Sequence, residues 1–347
     1  MIREISRRKC LRLWLCKPEY MERTKWENRF VLLRFRKKNY MMFLKDLKRF
    51  KMERLYDKLK AYSESDFYAF HMPGHKRNKA LLGIELPYDL DITEIDGFDD
   101  LHHADGILKE EQERAARVFG AEESHFLVNG STAGILSAVM GCTHRGDKIL
   151  VARHCHKSIY HAIYMNGLVP RYVYPEFDIS MHMNGEISKE DVAKALEEEP
   201  DIKAVVIVSP NYDGVVSDVK GIAEVVHSYG IPLIVDEAHG PHFGFHPAFP
   251  ERANDLGADV VINSLHKTLP SLTQTAILHI NGKFANRRRI KKYLDMLQSS
   301  SPSYIFMASL DACVDFVDGK CENAFELYVE RLQKFREELK PLQHLQI

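Results

Sequence analysis

The six cysteines, Cys10, Cys16, Cys142, Cys155, Cys313 and Cys321, include no Cys-x-x-Cys pair and no dense framework. That argues against a disulfide scaffold and for a reducing compartment, so a cytoplasmic protein is expected. No stretch approaches the roughly 20 uncharged apolar residues of a membrane span, and Arg and Lys interrupt the N-terminal apolar pieces before they reach signal-peptide length. There is little charge of either sign to spare: formal net charge is −1, which gives no whole-molecule argument for binding nucleic acid or an anionic membrane. Tryptophan is scarce, and both copies, Trp14 and Trp26, lie among the first fifty residues.

Those residues differ from the rest. Residues 1–50 carry 16 Lys+Arg against 5 Asp+Glu, leaving 32 against 44 for the remainder. The head shows no sustained apolar period, and Met41, Met42 and Met52 are each plausible starts. Residues 1–51 are therefore expected to be a basic extension outside the fold rather than an RNA-binding or membrane-binding arm.

From Met52 the texture changes. KILVAR (148–153), AVVIVS (204–209), PLIVDE (232–237) and DVVINS (259–264) are short, apolar and β-branched, as strands buried on both faces of a parallel sheet must be. Between them lie helix-length segments: STAGILSAVMGC opens on Ser and Thr, ISKEDVAKALEEE places Ser188 three residues before Asp191, and DVKGIAEVVHSYG ends in Gly230. Alternating strands and helices predict an α/β fold with a mostly parallel sheet flanked by helices. In such folds ligands sit beyond the carboxyl ends of the strands.

The chemistry-bearing residues follow those ends. Asp236 closes PLIVD, and Lys267 follows the next run in VVINSLHK. An aspartate there can keep a pyridine nitrogen protonated, and a lysine can hold an aldehyde as a Schiff base. Alone, each would be read as a turn residue or a solvated charge. VNGSTAGI supplies a phosphate cradle: Gly130 lets the backbone approach, while Ser131 and Thr132 offer hydroxyls where a helix begins. Ser264 and His266 flank the lysine and could add donors, although strand-end polar residues often do nothing more than end a strand. His156 could lie against a bound ring, or simply form a structural hydrogen bond. His239, in DEAHG, has three readings: a contact to cofactor, a contact to substrate, or a support for Asp236. His239, His242 and His246 lack cysteine partners and sit in a Gly- and Phe-rich loop, so no metal site is expected.

Together, FHMPGHKRN (70–78), DITEIDGFDDLHHADGILKEEQERAARVFGA (91–121), NGSTAGI (129–135), HKS (156–158), VDEAHGPHFGFH (235–246), SLHKTLPSLTQ (264–274) and SSSPSYIFMASLD (299–311) resemble the Orn/Lys/Arg decarboxylase family, in its shorter Gram-positive form. The resemblance implies an aminotransferase-like (fold type I) large domain and pyridoxal 5′-phosphate (PLP) as cofactor. It implies that Lys267 is the Schiff-base lysine and Asp236 the ring-nitrogen contact, that His156 stacks on the ring, and that Ser131, Thr132, Ser264 and His266 hold the phosphate. The implied activity is α-decarboxylation of a basic amino acid, with arginine favoured over lysine and ornithine, feeding polyamine synthesis. The proton donor at the α-carbon is Lys267 or His156. The implied partner is a second copy, in a homodimer or a higher homo-oligomer, with Ser299 to Tyr304 serving the neighbouring pocket. Other fold-type I reactions, such as transamination or β-elimination, share the Asp and Lys pair, and a catalytically silent PLP-binding fragment is a further alternative. The resemblance divides the chain into residues 52–310 as major domain and 311–347 as the start of a truncated C-terminal region. Apolar surface is then expected to be uncovered near Tyr304, Ile305 and Phe306.

Overall fold

Apolar runs that alternate with helices bury both faces of a sheet, and the strands and helices named from the sequence are found where their periodicity places them. The computed structural model describes residues 53–342; the expected basic extension over 1–51 lies outside the described residues. Helix α1 (Leu55–Ser63) is followed by an irregular stretch and by α2 (Ile107–Val118), which leads into β1 (Glu123–Leu127) and α3 (Gly130–Cys142). Then come β2 (Lys148–Ala152), α4 (Lys157–Asn166), β3 (Val169–Val173), and a two-stranded hairpin of β4 (Phe177–Asp178) and β5 (Met183–Asn184). The chain continues through α5 (Lys189–Glu198), β6 (Ile202–Val208), α6 (Val219–Ser228), β7 (Leu233–Asp236), β8 (Val260–Asn263) and the short α7 (Leu265–Thr268). It ends with β9 (Ala276–Ile280), α8 (Arg287–Leu297), α9 (Tyr304–Val317) and α10 (Glu322–Leu339).

The seven-stranded sheet has the order β1-β9-β8-β7-β6-β2-β3. Its strands are parallel except at β9, which pairs antiparallel with both β8 and β1. In register, Val208 on β6, Asp236 on β7 and Ile262 on β8 lie side by side, so the loops that leave these strands open from one edge. Side chains alternate across the sheet. Ile149, Val151, Val206 and Ile262 face one layer with Ile135, Ile159 and Ile290, whereas Leu150, Val205, Ile207 and Val261 face the other with Leu196, Ile222 and Val226. Burial on both sides is why these strands read as unbroken apolar runs. The first layer is drawn tight at Gly141, where a Cβ would sit 2.8 Å from Ile290 Cα, so α3 and α8 meet backbone to backbone. The expected Ser188 start of α5 is realised, its hydroxyl accepting from the Glu190 and Asp191 N–H groups.

A third cluster joins α1, α2 and α9 through Leu55, Leu59, Leu108, Met307, Leu310 and Val314. The expected boundary after Leu310 falls inside α9, whose buried residues lie on both sides of it. The surface expected to be uncovered at Tyr304 is absent: Tyr304 is 0% exposed, meets Phe98 edge-on at 6.4 Å and donates its hydroxyl to the Asp99 carbonyl at 2.5 Å. Ile305 and Phe306 are half-buried. The reason is that α9 turns its apolar face onto α1 and α2. Asp311, 1% exposed, fastens this cluster: it accepts from the Leu55 N–H at 3.1 Å and from Arg54 at 3.2 Å, and it pairs with the buried Arg114.

Asp311→Ala takes an acceptor from the Leu55 N–H and from Arg54, while Arg114 keeps Glu111 at 2.7 Å and Asp315, so the variant is expected to cost about 1–3 kcal/mol in urea unfolding. A loss below about 1 kcal/mol would mean that α9 does not anchor α1.

Candidate active site

Asp236 ends β7 with 3% exposure, and its Oδ1 accepts one bond, from the Ala238 N–H at 3.2 Å. Burial pushes its carboxyl up to about 6, while the Ala238 N–H and the charge of Lys267 pull the other way. Lys267 leaves the next strand, β8, on α7, and its side chain is exposed at the sheet edge. Its Nζ lies 2.9 Å from His239 Nε2, and partial desolvation holds its pKa below the ordinary lysine value, opposed by Asp236. His239 therefore meets Lys267, and no hydrogen bond joins it to Asp236 among the described residues. Burial first, then Lys267 and His156, lower the His239 pKa, so its ring is neutral and can accept from the amine. Tyr212, 87% exposed, meets that ring edge-on at 5.7 Å and 75°.

His156 caps α4: its Nδ1 accepts the Ser158 N–H at 3.3 Å and lies 2.8 Å from the Ser158 hydroxyl. The structural hydrogen bond is thus realised, yet the ring stays exposed and near enough to Lys267 that the lysine charge lowers its pKa, after burial.

The expected phosphate residues gather at two helix starts. Asn129 gives α3 no side-chain cap because its Oδ1 accepts from the Ser299 N–H at 3.1 Å. The first-turn N–H groups of α3 are consequently open to an anion, beside the partly exposed Ser131 and the exposed Thr132. Gly130 has φ +75°, and a Cβ added there would lie 3.9 Å from the Gln274 carbonyl oxygen. The neighbouring Thr275 carbonyl accepts from His266 Nδ1 at 2.8 Å, so both halves of the cradle rest on one segment. Ser264 is 0% exposed, and its Oγ is buried without a hydrogen-bond partner among the described residues. Such an orphan hydroxyl is uncommon in a finished core and fits a group still to be bound. The donor set, an unpaired buried carboxylate and a desolvated lysine together fit a ligand with a phosphate, a ring nitrogen and an aldehyde. No group of three or more His, Cys, Asp or Glu is arranged to hold a metal ion among the described residues. A hollow of about 520 Å³ lined by Lys58, Glu94, Asp96 and Asp100 shares none of these residues.

Two buried supports carry no motif in the sequence. Glu237, 3% exposed, accepts from the Ala253 N–H at 2.8 Å and from Asn263 Nδ2 at 3.0 Å, and the same amide donates to the Glu237 carbonyl at 3.1 Å. Glu237 follows Asp236 and Asn263 precedes Ser264, so this bond sets the spacing between the two strand exits. The one signal available for them is a charged residue that extends a buried apolar run.

A profile of the Orn/Lys/Arg decarboxylase major domain matches residues 53–347. The uncharacterized protein YaaO of Bacillus subtilis (strain 168) is 42% identical over 269 residues, covering 76% of this chain and 56% of that protein. The arginine decarboxylase of the same organism is 39% identical over 264 residues, covering 74% and 54%. The chain spans about half the length of the curated relatives it matches. Among solved structures, the constitutive lysine decarboxylase of Escherichia coli superposes with a TM-score of 0.73 at 25% identity, over 88% of this chain and 46% of that one.

Burial drives the Glu237 carboxyl up to about 8 from 4.5. A folded pKa above the ordinary value means that stability from this group is present at low pH and is lost as pH rises through that interval. Glu237→Gln removes the titration. In urea melts without cofactor the variant should therefore gain on wild type between about pH 5 and about pH 8, by at most about 1.4 kcal/mol per pH unit. A difference independent of pH would contradict the burial effect.

Proposed function

The chain belongs to the Orn/Lys/Arg decarboxylase family, and on that footing we propose that it carries the PLP-binding half of an enzyme that α-decarboxylates a basic amino acid, with arginine the favoured substrate. One arrangement supports this above all: buried Asp236 and desolvated Lys267 leave adjacent parallel strands at one edge, with the orphan hydroxyl of Ser264 beside them. Lys267 would hold the aldehyde, Asp236 the ring nitrogen, His156 the ring face, and Ser131, Thr132, Ser264 and His266 the phosphate, with Gly130 letting the backbone close in. When bound, PLP supplies an electron-accepting ring for the pair left at the substrate's α-carbon as carbon dioxide departs.

The chain's own groups do the rest. Asp236 keeps a proton on the ring nitrogen, because an N–H donor facing a buried carboxylate favours the ionised form. Partial desolvation lowers the Lys267 pKa, opposed by Asp236, and so favours the neutral amine that attack on a carbonyl carbon requires. Reprotonation at the α-carbon falls to Lys267 Nζ or to His156 Nε2, the latter carrying the ring hydrogen because Nδ1 accepts from Ser158. A second copy of the chain is the proposed partner. Phe67, Tyr68, Phe70 and Met72 support it, since each is more than 60% exposed on one short stretch of chain, with the Tyr68 and Phe70 rings edge to face at 5.1 Å. A reducing, cytoplasmic setting is consistent with the free thiols of Cys142, Cys155, Cys313 and Cys321.

The test is product analysis with arginine, lysine and ornithine in the presence of PLP. Carbon dioxide and agmatine should form from arginine faster than the matching diamines form from the other two, and Lys267→Ala should form none. A keto-acid product would instead assign the site to transamination, and faster release from lysine or ornithine would overturn the choice of arginine.

A further inference from the structure

We propose that His102 is a positioning residue for the anion cradle: it holds the Ser299 backbone where the Ser299 N–H keeps the Asn129 side chain from capping α3 itself. The proposal rests on the reading of the α3 start as the place where the cofactor phosphate binds, and it adds a residue outside those assigned to the cofactor above.

Asparagine is among the residues that favour the position before a helix, where its side-chain oxygen accepts from the second or third N–H of the first turn. Asn129 stands there before α3, whose second and third residues are Ser131 and Thr132, yet its side chain makes no capping bond. Its Oδ1 accepts from the Ser299 N–H at 3.1 Å instead. A side-chain cap and a bound phosphate would draw on the same N–H groups. The bond to Ser299 therefore removes the competitor that stands nearest in the chain.

Ser299 is in turn held from the other side. Its carbonyl can only accept, and it takes the hydrogen of His102 Nε2 at 2.7 Å. The His102 side chain is 11% exposed, and its Nδ1 lies 3.2 Å from Asp295 Oδ1 on α8. The His102 backbone is fixed as well: its N–H donates to Asp100 Oδ1 at 2.9 Å, and its carbonyl accepts from Lys291 Nζ at 2.8 Å. One residue before Ser299, the Gln298 side chain accepts from the Val128 N–H at 2.9 Å and donates to the Phe126 carbonyl at 3.3 Å, which brings the end of α8 against the end of β1. Ser299 thus sits between the His102 ring and the Asn129 amide, and the loop before α2, the end of α8 and the start of α3 form one chain of contacts.

The experiment measures, by visible absorbance on the cofactor-free protein, the dissociation constants of PLP and of pyridoxal, which lacks the phosphate. It does so across a double-mutant cycle of His102→Phe and Asn129→Ala. His102→Phe should weaken PLP about fivefold, the equivalent of one side-chain cap, and leave pyridoxal unchanged. With Asn129→Ala no side chain is left to cap α3, and adding His102→Phe should then change PLP affinity by less than about twofold. His102→Gln retains a donor for the Ser299 carbonyl and should bind PLP more tightly than His102→Phe does. An equal loss in both Asn129 backgrounds, an equal loss for PLP and pyridoxal, or no loss at all would overturn the proposal. If the wild-type protein binds PLP no better than pyridoxal, the cradle reading itself fails, and this proposal with it.

Discussion

Everything in the site turns on a carboxylate that the fold desolvates and leaves short of partners. Asp236 is 3% exposed and accepts a single backbone hydrogen bond. An ionised carboxylate in that position is costly unless a donor or a cation faces it, and burial accordingly pushes its pKa up to about 6. A pyridine nitrogen carrying a proton would meet the need, and in meeting it would gain the positive charge that makes the proposed cofactor ring an electron sink. The sheet prepares this in advance: β7 and β8 run parallel in register, Glu237 and Asn263 bolt their exits together, and Lys267 is set one strand away.

How much of this was legible beforehand follows from the physics of each part. The strands β2, β6, β7 and β8 were readable because burial on both faces demands unbroken apolar runs, and the Asp236 and Lys267 positions followed from their ends. The antiparallel β9 was not, since Ala276–Ile280 is as apolar as its neighbours and direction leaves no mark in composition. Glu237 and Asn263 went unnoticed because a residue that supports another has no motif of its own; its role exists only once two strands are adjacent. Tyr212 was hidden for a similar reason, as a turn sequence Asn-Tyr-Asp-Gly announces the turn and not what its aromatic ring will face. For His239 three roles stayed open in the sequence, and the structure brings it to Lys267.

The division expected after Leu310 falls within α9, whose apolar period runs through that point and continues to Val317. Asp311, Arg114 and the start of α1 are joined there by buried charge, so residues far apart in sequence are held as one layer behind β1. That layer carries the segment through Ser299, whose N–H occupies Asn129 and so leaves the start of α3 free for an anion. The packing of α9 is in this way part of what keeps the start of α3, the proposed phosphate cradle, open.

The central claim is that buried Asp236 holds a protonated ring nitrogen, and nitrogen-15 NMR of the protein loaded with ring-labelled PLP reads that state directly. The account predicts a protonated-pyridinium signal that persists to about pH 8, well above where a free pyridine loses its proton, and its loss in Asp236→Asn at equal cofactor occupancy. An unprotonated nitrogen in the wild-type protein near neutral pH, or a protonated one unchanged in Asp236→Asn, would contradict it.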